Sequence, residues 1–401
     1  MKTVFLPSKA TGTVDAPPSK SLSHRYLICG ALSEKSNIYN VSDSLDVKAT
    51  LNCLSTFGAD IKKNINTVCA GGIDFTKIGR NITADCGESG STLRFLIPLC
   101  LTGTTPVTFT GTKALFSRPL EEFERLCKSR NLPYNKAESS VTVCGPLTNG
   151  SFFIDGSISS QFVSGLLFAL PLLNGKSTLK ITGSLSSAPY IALTVKALTD
   201  FGININKKSD TLFEINGNQK YKSRNIFVEG DYSNAVFFDA FNLLGGSVTV
   251  NNLNKDSVQG DKIYKKYFEQ LINGCPEIDL TDFPDLAPVL FAVSALLNGA
   301  RFINTERLRF KECNRTECMK KELMKFGVKM QIEENAITVE KSEIHKPVST
   351  LFSHNDHRVA MALSLLCTVT GGEIENTESV NKSYPAFFDD LKRINISFQT
   401  E

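Results

Sequence analysis

The chain has 401 residues, 41% of them hydrophobic and 21% charged, an ordinary globular composition with enough sequence for two or three domains and large cores. Its 44 Lys and Arg nearly balance 41 Asp and Glu, and with no tryptophan and nine tyrosines it has neither the basic field nor the stacking platforms of a nucleic-acid binder. Eleven cysteines, an odd number without a C-x-x-C pair, exclude a disulfide framework; no apolar leader or run of membrane-spanning length occurs, so a reduced, cytoplasmic chain off the membrane is expected.

After an N-terminal strand, Pro17-Pro18-Ser19-Lys20-Ser21-Leu22-Ser23-His24-Arg25 opens an apolar segment with one lysine, one arginine and three hydroxyls. Lys20 and Ser21 fall where backbone N–H groups lack intrahelical partners and the dipole is positive. Arg25 lies one turn beyond Ser21, so this start suits an anion as well as a plain serine cap. The second such start is Cys86-Gly87-Glu88-Ser89-Gly90-Ser91-Thr92-Leu93-Arg94. Its glycines let backbone approach a ligand, and its hydroxyls cap a helix or bind phosphate oxygens. It is not a nucleotide P-loop, because no G-x-x-x-x-G-K-[ST] occurs in the chain.

Arg118-Pro119 is expected to open a helix over 120–127, with Arg118 held extended by the proline. Next, Asp155-Gly156-Ser157-Ile158-Ser159-Ser160-Gln161 leads into the apolar stretch 162–173; hydroxyls and an amide so placed are partly desolvated and need partners. Asp282-Phe283-Pro284-Asp285 precedes the apolar 286–297, with Asp285 as cap or base. In Arg307-Leu308-Arg309-Phe310-Lys311-Glu312-Cys313-Asn314-Arg315, the residues Lys311, Glu312 and Arg315 share a face if the segment is helical. His354-Asn355-Asp356-His357-Arg358 is another polar entrance to an apolar helix; a metal reading from His354, Asp356 and His357 lacks further ligands. Lys382 stands beside a last entrance at Ser383-Tyr384-Pro385.

Between these starts runs a repeat. Phe57-Gly58, Arg130-Asn131, Phe201-Gly202 and Phe326-Gly327 each end an amphipathic helix and precede two alternating strands, with weaker copies at Asn273-Gly274 and Ile394-Asn395. Gly or Asn suits the left-handed residue that closes a helix, and period-two alternation marks strands. The copies recur roughly every 70 residues, longer than common solenoid repeats, and imply six helix-plus-hairpin units.

In this order, Ser19-Lys20-Ser21 to Arg25, Ser89 to Arg94, Arg118-Pro119, Ser159-Ser160-Gln161, Lys311-Glu312 with Arg315, and Asn355-Asp356-His357-Arg358 resemble the 5-enolpyruvylshikimate-3-phosphate synthase family of enolpyruvyl transferases over nearly the whole chain. The resemblance implies an α/β fold: a two-domain inside-out α/β barrel of six helix-and-sheet repeats, with the active site in the interdomain cleft. Residues 1–17 plus 230–401 would form the first, discontinuous domain and 18–229 the second. The implied reaction transfers the enolpyruvyl group of phosphoenolpyruvate to the 5-hydroxyl of shikimate 3-phosphate. That is a step of the shikimate pathway to chorismate and aromatic amino acids, run by a monomer without cofactor or metal.

Carried over by resemblance, Lys20, Ser21, Arg25, Ser159, Ser160, Gln161, Ser187 and Tyr190, with Asp285, Arg307 and Lys311, face shikimate 3-phosphate. Lys20, Gly90, Arg118, Gln161, Arg315, His357, Arg358 and Lys382 surround phosphoenolpyruvate. Glu312 is the expected acid toward carbon, Asp285 the base on the hydroxyl, and Lys20 a proton relay. Glu88 and Arg307 depart from the family pattern, and Glu88 stays outside the site. Two alternatives stand beside this reading: the sister transferase acting on UDP-N-acetylglucosamine, whose usual cysteine is here Lys113, and a noncatalytic scaffold that binds phosphorylated partners through the same loops.

Overall fold

The computed structural model describes residues 1–79 and 82–401. It divides into two compact units, Met1–Pro17 with Gly230–Glu401, and Pro18–Glu229, each with its own apolar core. The fold is mixed α/β, with six sheets among the described residues.

In residues 18–229 three four-stranded sheets follow one plan. In the first, Asn225–Phe227 runs parallel to Ser36–Tyr39, which pairs antiparallel with Thr67–Gly71, itself the hairpin partner of Asp60–Asn64. Ile82–Asp85, Val107–Thr110, Ser140–Val143 and Tyr134–Lys136 repeat that order. So do Ser151–Asp155, Ser177–Thr182, Leu212–Ile215 and Ile205–Ser209.

Each sheet comes with one helix buried nearly all round and one that buries a single stripe. The first kind, Lys20–Leu32, Gly90–Cys100 and Ser160–Ala169, is apolar beyond its sixth residue and forms the core. The second kind, such as Glu121–Ser129, buries Phe123, Leu126 and Cys127 and keeps most of its charges in water. Two core helices touch backbone to backbone: a Cβ on Gly165 would lie 2.2 Å from the carbonyl oxygen of Arg94, so only glycine fits there. Phe95 and Phe168 close the same contact edge-to-face at 5.5 Å, and truncating either to Ala would cost about 3–5 kcal/mol.

The other unit repeats the plan less regularly. Its core helices are Tyr232–Leu243, Ala287–Leu296 and His357–Thr370. Glu277–Asp279, Ala300–Ile303, Ala336–Val339 and Met330–Ile332 form one full sheet. Leu351–Phe352, Gly372–Glu375, Lys2–Phe5 and Phe398–Thr400 form another, in which the N-terminal strand supplies the hairpin partner of the last strand. The remaining sheet is only Thr11–Asp15 beside Ser247–Asn251.

The expected punctuation sorts along the same line. Gly58, Asn131, Gly202, Gly327 and Asn395 have φ of 95°, 51°, 77°, 88° and 64°, the left-handed helix ends their residue types favour. Gly274 has φ 164°, which is extended backbone, and the strand after it, Glu277–Asp279, pairs into the next sheet. The weak copy at Asn273-Gly274 is therefore a repeat without its hairpin.

Candidate active site

All three core helices of residues 18–229 begin on serine caps. Ser19 Oγ accepts from Leu22 N at 3.4 Å, Ser89 Oγ from Thr92 N at 3.2 Å, and Ser159 Oγ from Gln161 N at 3.3 Å. Each cap leaves the rest of its first turn for other partners. The residues singled out at these starts lie on well-bonded scaffolding.

Arg25 is buried and ties two helices together. It donates from Nη1 to Ser21 O at 2.7 Å, from Nη2 to Tyr190 O at 2.9 Å and from Nε to Thr194 Oγ1 at 2.8 Å. Burial pulls its pKa down to about 10, so it stays cationic at neutral pH. Ser187, just before helix Ala188–Asp200, is buried at φ 57°, a left-handed conformation that costs a non-glycine residue energy and concentrates at functional sites. Lys20 Nζ lies 2.8 Å from Asp46 Oδ2, both mostly buried.

Gly90 sits against two guanidinium groups. A Cβ there would lie 2.9 Å from Arg118 Nη1 and 3.0 Å from Arg94 Nη1. Arg94 donates to Gln161 Oε1 and to Pro119 O, each at 2.8 Å, and Gln161 Nε2 donates to Ser91 Oγ at 2.9 Å. Arg118 lies in the turn between Lys113–Phe116 and Glu121–Ser129, one residue earlier relative to its helix than expected. Its Nε is buried with no hydrogen-bond partner among the described residues, so this guanidinium has capacity for an anion. Ser160 is buried in the first turn beside Gln161.

In the unit holding residues 230–401, one wholly buried arginine organises the charges. Arg315 donates to Asp356 Oδ2 from Nε at 2.8 Å, to Asp285 Oδ1 from Nη1 at 2.8 Å and to Glu312 Oε2 from Nη2 at 2.9 Å. Arg358 Nη2 donates to Asp285 Oδ2 at 3.0 Å and to Ser233 Oγ at 2.9 Å. Lys311 Nζ stands 3.5 Å from Asp285. Burial works against the charge on Asp285, but Arg358, Lys311 and Arg315 outweigh it and hold the carboxyl well below the usual range. Burial pulls Lys311 down to about 8, with Asp285 opposing and Arg315 and Arg307 adding to the fall.

The remaining residues line up around this core. Lys382 Nζ donates to Asn355 O at 2.6 Å, and Arg307 Nη1 to Thr281 O at 3.1 Å. His357 is buried at the first position of His357–Thr370, whose cap is Asp356, accepting from Arg358 N at 2.8 Å.

Two local expectations are corrected. Lys311, Glu312 and Arg315 do not share a helix face: Asn314 caps helix Arg315–Met324, so Lys311 and Glu312 lie in the loop before it and meet the arginine there. Asp285 is no cap, since Leu286 precedes Ala287–Leu296 without a side-chain cap bond; its carboxylate is committed to cations instead. Sequence reasoning left Arg94, Ser233 and Asp46 out of the site and weighed Asp356 only as a metal ligand. Ser233 had a signal, since Asp231-Tyr232-Ser233-Asn234 is one more polar entrance to an apolar helix, whereas nothing local pairs Asp46 with Lys20.

Comparison with known proteins adds to this geometry. A family model described as EPSP synthase (3-phosphoshikimate 1-carboxyvinyltransferase) matches residues 5–391. The 3-phosphoshikimate 1-carboxyvinyltransferase of Clostridium botulinum (strain Eklund 17B / Type B) is 39% identical over 419 residues, covering 98% of this chain and 97% of that one. That of Clostridium novyi (strain NT) is 39% identical over 421 residues, covering 97% and 96%. In fold, the chain matches an EPSP synthase from Acinetobacter baumannii with TM-score 0.78 at 20% identity, over 100% of both chains. The enolpyruvyl transferase NikO from Streptomyces tendae matches at 0.79 with 14% identity, over 99% and 98%.

Proposed function

The chain belongs to the EPSP synthase family, and on that premise we propose that it transfers the enolpyruvyl group of phosphoenolpyruvate to the 5-hydroxyl of shikimate 3-phosphate. The products are 5-enolpyruvylshikimate 3-phosphate and phosphate, and the pathway is the shikimate route to chorismate and aromatic amino acids. The observation that carries the assignment of roles is the buried Arg315, held by Asp285, Glu312 and Asp356, with Arg358 on the far oxygen of Asp285.

These charges are balanced by the protein's own carboxylates. An incoming phosphate or carboxylate takes the place of a carboxylate beside Arg315, Arg358 or Lys311 without new charge having to be buried, and each charge-assisted bond gained is worth about 1.5–3 kcal/mol. We assign Arg315, Arg358, His357 and Lys382 to phosphoenolpyruvate together with Lys20, Gly90, Arg118 and Gln161. Shikimate 3-phosphate takes Ser21, Arg25, Ser159, Ser160, Ser187 and Tyr190, with Lys20 and Gln161 shared between substrates. Asp285, Arg307 and Lys311 join it. In this reading residues 18–229 act as the second enolpyruvyl-transferase domain and the rest of the chain as the first.

Chemistry proceeds by addition and elimination. Glu312, protonated once a substrate anion has taken its place beside Arg315, gives that proton to the methylene carbon of phosphoenolpyruvate, C2 accepts the 5-oxygen, and the hydroxyl proton passes to Asp285. Elimination reverses the proton flow: the methyl group returns a proton to Glu312, the C–O bond to phosphate breaks as Asp285 passes its proton to the departing phosphate, and the enol double bond re-forms. Asp285 with three cations beside it is a poor base. Substrate anions that neutralise Arg315 and Arg358 raise its basicity at the moment it is needed. Lys20 relays protons across from Asp46.

In this reading the chain works as a monomer in the cytoplasm, a compartment that suits its eleven free thiols. The test is phosphate release with each substrate omitted in turn. Release must require both substrates; release from phosphoenolpyruvate alone, or none at all, overturns the assignment.

A further inference from the structure

Beside Arg315 lies a second cluster that the transfer reaction does not use: Cys313, Cys318, His354 and Glu322. Cys313 immediately precedes the cap Asn314, and Cys318 is the fourth residue of helix Arg315–Met324. Side chains at those two positions face each other across a helix start. The two thiols stand close enough to shift each other's titration, and Cys318 and His354 do the same to one another. Both are partly exposed and free.

His354 is fixed on its other side. Its Nε2 lies 2.9 Å from Glu322 Oε1, and its ring meets Phe352 edge-on at 5.2 Å. Glu322 is buried and holds its place through Lys325 Nζ at 2.8 Å and Phe352 N at 3.0 Å. Cys318 and Glu322 beside it push His354 up to about 9. The neighbouring Cys313 thiol and His354 outweigh burial and hold Cys318 below the ordinary thiol range. Two thiols gathered with an imidazole at one helix start, one of them with a lowered pKa, form the surroundings of oxidation-sensitive cysteines.

We propose that Cys313 and Cys318 are a dithiol pair that peroxides oxidise to an intrachain disulfide, and that this modification slows the adjoining active site. The Cys318 sulfur attacks one peroxide oxygen. The O–O bond breaks, the S–O bond of a sulfenic acid forms, and the departing oxygen takes a proton from His354. The Cys313 sulfur then displaces the hydroxyl, which leaves as water with the Cys313 proton, and the S–S bond forms. The dithiol loses two electrons and the peroxide gains them. The link to the active site is short. Cys313 Sγ donates to Asp356 Oδ2 at 3.8 Å, the oxygen that accepts from Arg315 Nε, and Cys313 adjoins Glu312. Drawing Cys313 onto Cys318 removes that donor and shifts the loop that carries Glu312.

The effect on turnover rests on the proposed transfer reaction; formation of the bond does not. Trypsin cuts after Lys311, Arg315 and Lys320, so the disulfide would join peptides 312–315 and 316–320. Reduced protein is treated with graded hydrogen peroxide and mapped by mass spectrometry, with exposed Cys275 as internal reference. The joined pair is expected at doses that leave Cys275 reduced, lighter by two hydrogens and split by dithiothreitol. A several-fold fall in turnover should accompany it, reversible by dithiothreitol and absent in Cys318→Ser and Cys318→Ala. Oxidation of Cys275 ahead of any joined pair overturns the dithiol. A joined pair with unchanged turnover overturns its effect. A joined pair in protein that never turns over the two substrates upholds the dithiol and removes the transfer reaction instead.

Discussion

Arg315 and Asp285 meet at 2.8 Å, Nη1 to Oδ1, with the arginine side chain only 1% exposed. Taking away the cation leaves Asp285, Glu312 and Asp356 facing one another with little water. Losing one partner of a buried pair typically costs about 3–5 kcal/mol. Arg315→Met should lose stability of that order in urea denaturation. Arg315→Lys keeps a charge but not the three-way geometry; it should stay folded while its KM for phosphoenolpyruvate rises. A stable Arg315→Met protein would contradict this role.

Gly90 offers a cleaner separation of binding from folding. Its would-be Cβ meets the ends of two arginine side chains rather than backbone, so Gly90→Ala should fold with a Tm close to wild type. The methyl group displaces Arg118 and Arg94 from the positions an anion would meet. The KM for phosphoenolpyruvate should rise several-fold, with that for shikimate 3-phosphate little changed. An equal rise in both would move Gly90 out of its assigned role.

Stability should depend on acid through Asp285. A folded-state pKa held below the unfolded value means that the unfolded chain takes up the proton first as pH falls. The carboxylate's contribution is therefore complete above about pH 4 and is lost as pH falls through the folded-state pKa, which lies below the ordinary range. Asp285→Asn should be less stable than wild type at neutral pH and should lose less on acidification. Parallel urea midpoints for the two proteins from neutral to acid pH would refute the coupling.

Lys311 runs in the opposite sense. With a folded-state pKa near 8 against about 10.4 unfolded, the unfolded chain binds more protons between these values, so this group's penalty on stability is relieved as pH rises through that window. A bound phosphate would restore the charge. Calorimetric titration with shikimate 3-phosphate near pH 8, in buffers of different ionisation enthalpy, should show proton uptake that disappears in Lys311→Met. Uptake unchanged in the variant would place the titrating group elsewhere.

Much of this was legible in the chain because the informative features are local. Serines that cap Lys20–Leu32, Gly90–Cys100 and Ser160–Ala169 announce themselves one turn before apolar runs, and left-handed Gly58 or Asn131 announces the hairpin that follows. What stayed hidden is pairing at a distance. Asp356 reaches back to Arg315, and Ser233 meets Arg358 across more than a hundred residues; only packing brings such groups together. Asn314 shows the other limit: as a cap it stops the helix short of Glu312, and no periodicity of charges reveals where a helix declines to begin.

Glu312 and Asp285 are the groups given to proton transfer, and positioned transfer contributes on the order of 10² to 10⁴ in rate. Glu312→Gln and Asp285→Asn should lower kcat by factors in that range while KM values move far less. Full turnover in both variants would remove the two carboxylates from the chemistry.

The central claim is that the chain joins two phosphorylated acids and expels one phosphate for each bond made. Phosphorus NMR of one reaction mixture follows both substrates, the ether product and inorganic phosphate together. Equal rates of loss of phosphoenolpyruvate and shikimate 3-phosphate, matched by phosphate and a new phosphorylated ether, are the predicted result. Phosphate appearing while shikimate 3-phosphate persists, or spectra that do not change, would contradict it.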